Sequence, residues 1–167
     1  MNKRIIILEP NTANKIAAGE VVERPASIVK ELVENALDAG SSAVTVEIRN
    51  GGIDYIRITD NGSGIPSDDV RTAFLRHATS KLSSAEELTH IETFGFRGEA
   101  LSSIAAVTRT ELITKTADAE FGTRYVIEGG KEVSLEDTGA PNGTTFLVHQ
   151  LFYNVPARRK FLKTPMT

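Results

Sequence analysis

Between Pro25 and Asp60 the hydrophobic period of the chain changes from 3.6 residues to 2. That change narrows the folds open to it more than any other feature. Ile28, Val29, Leu32, Val33, Ala36 and Leu37 fill one side of a helical wheel, an apolar arc about 180° wide. Pro25 suits a first helical turn, where its missing N–H would have no partner, and Gly40 suits the residue just past the end. Beyond it, Val44, Val46 and Ile48 alternate with Thr45, Glu47 and Arg49, and Ile56 and Ile58 alternate with Tyr55, Arg57 and Thr59. Asn50-Gly51-Gly52 between the two runs predicts a hairpin turn. A one-sided helix followed by a one-sided hairpin leads to a helix layer on an antiparallel sheet.

The rest of the chain extends that pattern. Ile5–Leu8 reads as an extended start and Thr12–Val22 as a short helix. Asp60-Asn61-Gly62-Ser63-Gly64 is a glycine-bearing loop, after which Ser67 is expected to cap a helix reaching about Leu75. Residues 76–98 are loop-rich, with a short helix near Ala85–Leu88. Phe94 to Gly98 leads into a helix from Glu99 to Val107, and Glu111–Thr116, Arg124–Glu128, Glu132–Leu135 and Thr144–Leu151 read as strands. Gly129-Gly130 marks another hairpin. The fold class predicted is α+β: a two-layer α/β sandwich with a mixed, mostly antiparallel sheet and helices on one face. One domain is expected over residues 1–167, without an interdomain linker.

Composition excludes several function classes. The chain has no cysteine, which removes disulfides, thiolate zinc sites and cysteine nucleophiles and fits a reducing compartment. No apolar run approaches the roughly 18 residues of a membrane helix, and Ile5–Leu8 is too short for a signal-peptide core. The net charge is −3, but residues 151–167 hold Arg158, Arg159, Lys160 and Lys163 without an acid. The first 150 residues therefore carry 15 basic against 22 acidic residues, or −7, and the body is no general polyanion binder. The tail is expected to be a solvated helix face; contact with DNA phosphates is the alternative.

Three places can carry chemistry. Glu31 and Asn35 lie one turn apart at the rim of the apolar arc, with Asp38 close to Glu31 on its outer side. A carboxylate there can take a proton from an attacking water. An amide oxygen is a hard ligand suited to Mg2+. Continuing the alternation of Ile56 and Ile58 puts Asp60 on the core face, where a carboxylate needs a partner such as the exocyclic amine of adenine. Gly62 and Gly64 would let backbone approach a flat ligand. Third, Phe94-Gly95-Phe96-Arg97-Gly98 precedes a helix N-terminus, where free N–H groups favour phosphate. No Walker sequence and no His-Glu-x-x-His pattern occurs, and His77, His90 and His149 are scattered, as structural histidines are.

Taken together these segments resemble one superfamily. The order Glu31 to Gly40, Asp60 to Ile65, Gly95 to Leu101 and Gly143-Thr144-Thr145 is similar to the GHKL ATPases with the Bergerat fold. That superfamily includes gyrase-type topoisomerases, heat-shock chaperones of the ninety-kilodalton class, histidine kinases and MutL mismatch-repair proteins. Ile16-Ala-Ala-Gly-Glu-Val-Val-Glu-Arg-Pro25, the Gly95–Leu101 loop and Tyr153-Asn-Val-Pro-Ala-Arg-Arg159 resemble the MutL family within it. The resemblance covers nearly the whole chain. A kinase reading lacks an adjoining phosphoacceptor helix, and a topoisomerase reading lacks support from the Gly95–Leu101 loop.

The resemblance implies ATP and Mg2+ as cofactors and assigns roles. Glu31 would orient and deprotonate the attacking water, and Asn35 would hold Mg2+ against the phosphates, with Asp38 beside them. Asp60 would read the adenine amine, with Gly62 and Gly64 bordering the base and Thr144 lining its side. Thr79, Ser80 and Lys81, with Gly95, Phe96, Arg97, Gly98, Glu99, Ala100 and Leu101, would form a lid over the phosphates. It further implies slow turnover, a switch in which ATP orders the lid and two protomers associate, and a bacterial cytoplasmic setting. In the full-length family a second subdomain supplies a lysine to the γ-phosphate, a distant region dimerises, and a MutS-type mismatch sensor and DNA are the partners. A chain ending at Thr167 is therefore expected to be monomeric and to hydrolyse ATP poorly by itself. A nucleotide-gated binding module with negligible turnover is the competing function, because the same residues would bind the nucleotide.

Overall fold

The structure, a computed structural model, describes residues 4–75 and 100–162. The chain runs α1 (Pro10–Val21), α2 (Pro25–Asp38), β1 (Val44–Arg49), β2 (Tyr55–Asp60), α3 (Val70–Ala73), α4 (Ala100–Ala106), β3 (Arg109–Lys115), β4 (Gly122–Glu128), β5 (Lys131–Thr138), β6 (Gly143–His149) and α5 (Pro156–Lys160). Six strands form one sheet in the order β1-β2-β6-β3-β4-β5. Every pairing is antiparallel, so the mixed sheet expected from the sequence is purely antiparallel among the described residues.

The core lies on one face of this sheet. Ile58, Phe146, Leu112 and Tyr125 are successive cross-strand partners, as are Ile56, Val148, Thr110 and Ile127. All are buried, and they pack with Ala18 of α1 and Val22 just after it, Ile28 and Leu32 of α2, and Ile104 to Val107 at α4. Each fully buried aliphatic side chain here contributes about 1.5–3 kcal/mol. Thr110 is tolerated in the row because its hydroxyl meets that of Thr108 at 2.8 Å, and Thr108 also donates to the Ile104 carbonyl at 2.6 Å.

Val46 and Ile48 are 45% and 52% exposed, because β1 is the edge strand and α2 lies mainly over β2. Some expectations need correction. Leu37 is also exposed, so the buried line of α2 is Ile28, Leu32 and Ala36. Ser67 does not cap a helix. It opens a 3-10 turn closed by the Asp69 N–H on the Pro66 carbonyl, and α3 begins at Val70. Strand β5 runs to Thr138 instead of Leu135. An edge strand can carry Glu136 and Asp137, and such charge also discourages pairing with another chain. The helix expected near Ala85–Leu88 lies outside the described residues.

The basic tail differs most from its reading as a solvated face. Lys160 is exposed, but Arg158 and Arg159 are half-buried and engaged. Arg158 donates to the Gly19 carbonyl and lies over the Phe152 ring, 5.7 Å from its centroid. A Cβ at Gly19 would sit 3.0 Å from Arg158 Nη1, so a side chain there would push the guanidinium aside by a few tenths of an ångström. Arg159 donates to the Leu151 carbonyl at 3.0 Å and to Asp54 at 3.3 Å. Next to them, Asn154 caps the end of α4 by donating to Ala106 O at 2.9 Å. The segments Ile16–Pro25 and Tyr153–Arg159, far apart in sequence, are thus in direct contact.

Candidate functional site

At one end of the core face the cross-strand rows turn polar. Asp60, Thr144, Thr114 and Thr123 are successive partners on β2, β6, β3 and β4, and all are buried, Asp60 at 9% exposure and Thr144 at 7%. Buried polar groups persist only where they are hydrogen-bonded, and the side chains of Asp60, Thr114 and Thr144 are. Thr114 donates from Oγ1 to the Gly143 carbonyl at 3.0 Å and accepts the Ile65 N–H at 2.8 Å. The Thr144 hydroxyl lies 2.9 Å from the same oxygen. Asp60 accepts the Gly62 N–H on Oδ1 at 2.8 Å, a turn of the kind aspartate favours. One such bond leaves a carboxylate with acceptor capacity for further donors.

The loop after Asp60 is packed against its own chain. A Cβ at Gly62 would lie 2.7 Å from both Ala39 O and Ser41 Oγ, at the end of α2. Gly64 has φ +72°, and a Cβ there would run into the Lys115 carbonyl of β3. The glycine requirement at both positions is thus met by the protein's own backbone. The loop is also tied down: the Ser63 N–H donates to Ala39 O at 3.0 Å, and Asn61 bonds the turn between α2 and β1.

Helix α2 carries Glu31, Asn35 and Asp38, each half-buried, beside the buried line Ile28, Leu32 and Ala36. Asn35 is one turn before Ala39 and accepts its N–H at 3.0 Å. Ala100 and Leu101 open α4 and are half-buried, with Leu101 packed on the core. Thr79, Ser80, Lys81, Gly95, Phe96, Arg97, Gly98 and Glu99 lie outside the described residues. Register and loop therefore bring Asp60, Gly62, Gly64 and Thr144 together, and the packed loop joins them to the helix bearing Glu31, Asn35 and Asp38. Among the described residues no group of three or more His, Asp or Glu side chains could hold a metal by itself. His149 stacks edge-on to Tyr55 at 5.3 Å, away from this place, and burial followed by the nearby Arg109 charge lowers its pKa.

Sequence reasoning passed over two residues here. Thr114 was legible in principle, since Thr110, Leu112 and Thr114 alternate onto one face and a polar residue on a core face demands a partner. Asn61 stands between two residues singled out from the sequence, but its bonds reach residues 18 and 19 positions back and have no local signal.

Comparison with known proteins agrees with this geometry. Residues 23–140 match the family of histidine kinase-, DNA gyrase B- and HSP90-like ATPases. The chain belongs to this ATPase family. Within it the likeness is to MutL. The chain is 69% identical over 163 residues to the DNA mismatch repair protein MutL of Agathobacter rectalis, and 59% identical over 167 residues to that of Caldanaerobacter subterraneus subsp. tengcongensis. These alignments cover 98% and 100% of the chain but 25% and 28% of the relatives, so the chain spans about a quarter of their length. The Aquifex aeolicus MutL ATPase domain complexed with ADP superposes with a TM-score of 0.71 at 35% identity, over 87% of this chain and 50% of that one. No described helix is long and apolar enough to cross a membrane.

Proposed function

We propose that this chain is the ATP-binding and slowly ATP-hydrolysing switch domain of a MutL-type DNA mismatch-repair protein. The observation that carries the reading is the buried polar row in which Asp60 and Thr144 are direct cross-strand partners, with the loop after Asp60 packed against the end of α2. Asp60 accepts a hydrogen bond from the exocyclic amine of adenine, and Thr144 lines the same side of the base. The α2 side of the site would receive the sugar and phosphates. There Glu31 orients the attacking water and takes its proton, a task for a carboxylate at the rim of an apolar surface. The lid residues, Thr79 to Lys81 and Gly95 to Leu101, close over the phosphates with backbone N–H groups and the charges of Lys81 and Arg97. Little covalent chemistry is asked of the protein in phosphoryl transfer; positioning and charge neutralisation dominate.

Mg2+ fits the donor set. It takes few protein ligands, all oxygen, and completes its shell with substrate phosphates and water, so the side-chain oxygen of Asn35 on α2 would hold it. When bound it neutralises phosphate charge. In the whole protein the nucleotide cycle is proposed to order the lid, drive association of two protomers and couple a MutS-type mismatch sensor to downstream steps on DNA in the bacterial cytoplasm.

The test is ATP hydrolysis and binding by this chain beside Glu31→Ala. Weak phosphate release, abolished in Glu31→Ala while ATP still binds, is expected. Release unchanged by Glu31→Ala would overturn the assignment of the base, and absence of nucleotide binding in the parent chain would overturn the ATP reading. Light scattering should show a monomer with and without ATP; a tight ATP-dependent dimer of this chain would refute that part.

A further inference from the structure

We propose that Asn61 is a positioning residue that fixes the distance between the Asp60 end of the site and the α2 face carrying Glu31 and Asn35. The inference rests on the ATP reading and deepens it. Asn61 follows Asp60 directly. Its Oδ1 accepts the N–H groups of Ser42 at 2.9 Å and Ala43 at 3.0 Å, and its Nδ2 donates to Ser42 Oγ at 2.8 Å. An amide oxygen has two lone pairs, so both are committed within the chain and the carbonyl has no acceptor left for a ligand. Asn61 therefore acts on the site through what it holds in place.

What it holds is the turn between α2 and β1. Ser42 and Ala43 precede Val44, the cross-strand partner of Asp60. The Asn61 side chain thus adds one rung to the β1–β2 ladder just where the backbone pairing stops. Two further contacts close the same junction: Ser63 N–H on Ala39 O at 3.0 Å, and Gly62 packed on Ala39 and Ser41. On the helix side the turn is continuous with α2, since Ser41 N–H donates to Ala36 O at 3.2 Å and Ala39 N–H to Asn35 O at 3.0 Å. A chain of bonds therefore runs from Asn35 through the end of α2 and Asn61 to Asp60. A ligand that touches both ends depends on the length of that chain. A ligand that touches the Asp60 end alone does not.

This separates positioning from general stability. Asn61→Leu keeps the shape and removes the acceptor. Asn61→Asp keeps an acceptor for both N–H groups, and the Ser42 hydroxyl can turn to donate to it. Equilibrium affinities of ADP and adenosine are measured on the full chain for parent, Asn61→Leu and Asn61→Asp, at physiological salt and well below each melting temperature. Asn61→Leu should weaken ADP about three- to tenfold, the upper end being the limit that loss of two side chain–backbone bonds sets on loosening the junction, and adenosine less than about twofold. Asn61→Asp should bind both within about threefold of the parent. Where Asn61→Leu does not fold, Asn61→Ser, a shorter and weaker acceptor, should show the same split in smaller measure. ADP binding unchanged in these variants, or ADP and adenosine weakened in equal proportion, would overturn the inference while the ATP reading stands. A parent chain that binds neither would overturn the ATP reading, and the inference with it.

Discussion

Gly64 and Gly40 share a positive φ but not an environment, which makes them a useful pair. Gly64 has φ +72° and Gly40 φ +75°. An alanine Cβ at Gly40 would meet nothing within 4 Å, whereas at Gly64 it would overlap the Lys115 carbonyl of β3, with the carbonyl carbon 2.6 Å away. Left-handed backbone costs a non-glycine residue roughly 1–2 kcal/mol, and that is the whole expected cost of Gly40→Ala. At Gly64 the same cost applies, with about 1–3 kcal/mol more for forcing atoms into packed structure. Strand β3 cannot yield easily, because it pairs on both sides with β4 and β6. Gly64→Ala should therefore be destabilised by about 2–5 kcal/mol and Gly40→Ala by about 1–2 kcal/mol. Urea unfolding of both variants measures the difference directly. Equal losses would refute the claim that the loop after Asp60 is jammed against β3, and with it the rigidity assigned to this side of the site.

Other consequences can be checked alongside. Arg158→Ala removes a charged bond to the Gly19 carbonyl and the stacking on Phe152; discounted for partial exposure, this should cost about 1–3 kcal/mol, while exposed Lys160→Ala should stay within about 0.5 kcal/mol. Thr114→Val leaves the Ile65 N–H and the Gly143 carbonyl without their hydroxyl partner; a loss of about 1–3 kcal/mol is expected, largely restored in Thr114→Ser. His149 has a pKa lowered by burial and by Arg109, so the fold favours its neutral form. That contribution is complete above the ordinary histidine pKa of about 6.5 and is lost as pH falls through the lower folded value. Denaturation midpoints should drop with pH over that window, and His149→Asn should flatten the slope.

Most of this architecture was legible because its signals are local. The hydrophobic period changes at Pro25–Asp60, and the structure follows it: α2 ends at Asp38, Gly40 takes the left-handed conformation, and the β1–β2 hairpin turns at Asn50-Gly51-Gly52. Alternation correctly placed Asp60 on the buried face with Ile56 and Ile58. What the sequence misjudged depends on neighbours it cannot name. Val46 and Ile48 alternate with polar neighbours as a strand should, but their exposure comes from position at the sheet edge, a property of topology. Arg158 and Arg159 sat in a run of like charge that implies solvent, yet their partners are Gly19, Leu151 and Asp54, up to 139 residues away. In the site, Asp60 and Thr144 were picked out separately; that they are direct partners follows from the β2–β6 pairing across 84 positions, which no local pattern encodes.

The central claim is that the polar row at the end of the core face reads adenine. Equilibrium titration of the chain with ATP, beside Asp60→Ala and Asn35→Ala with and without Mg2+, tests it most directly. The account predicts saturable binding that is lost in Asp60→Ala and loses its Mg2+ dependence in Asn35→Ala. Binding that survives Asp60→Ala unchanged would contradict it.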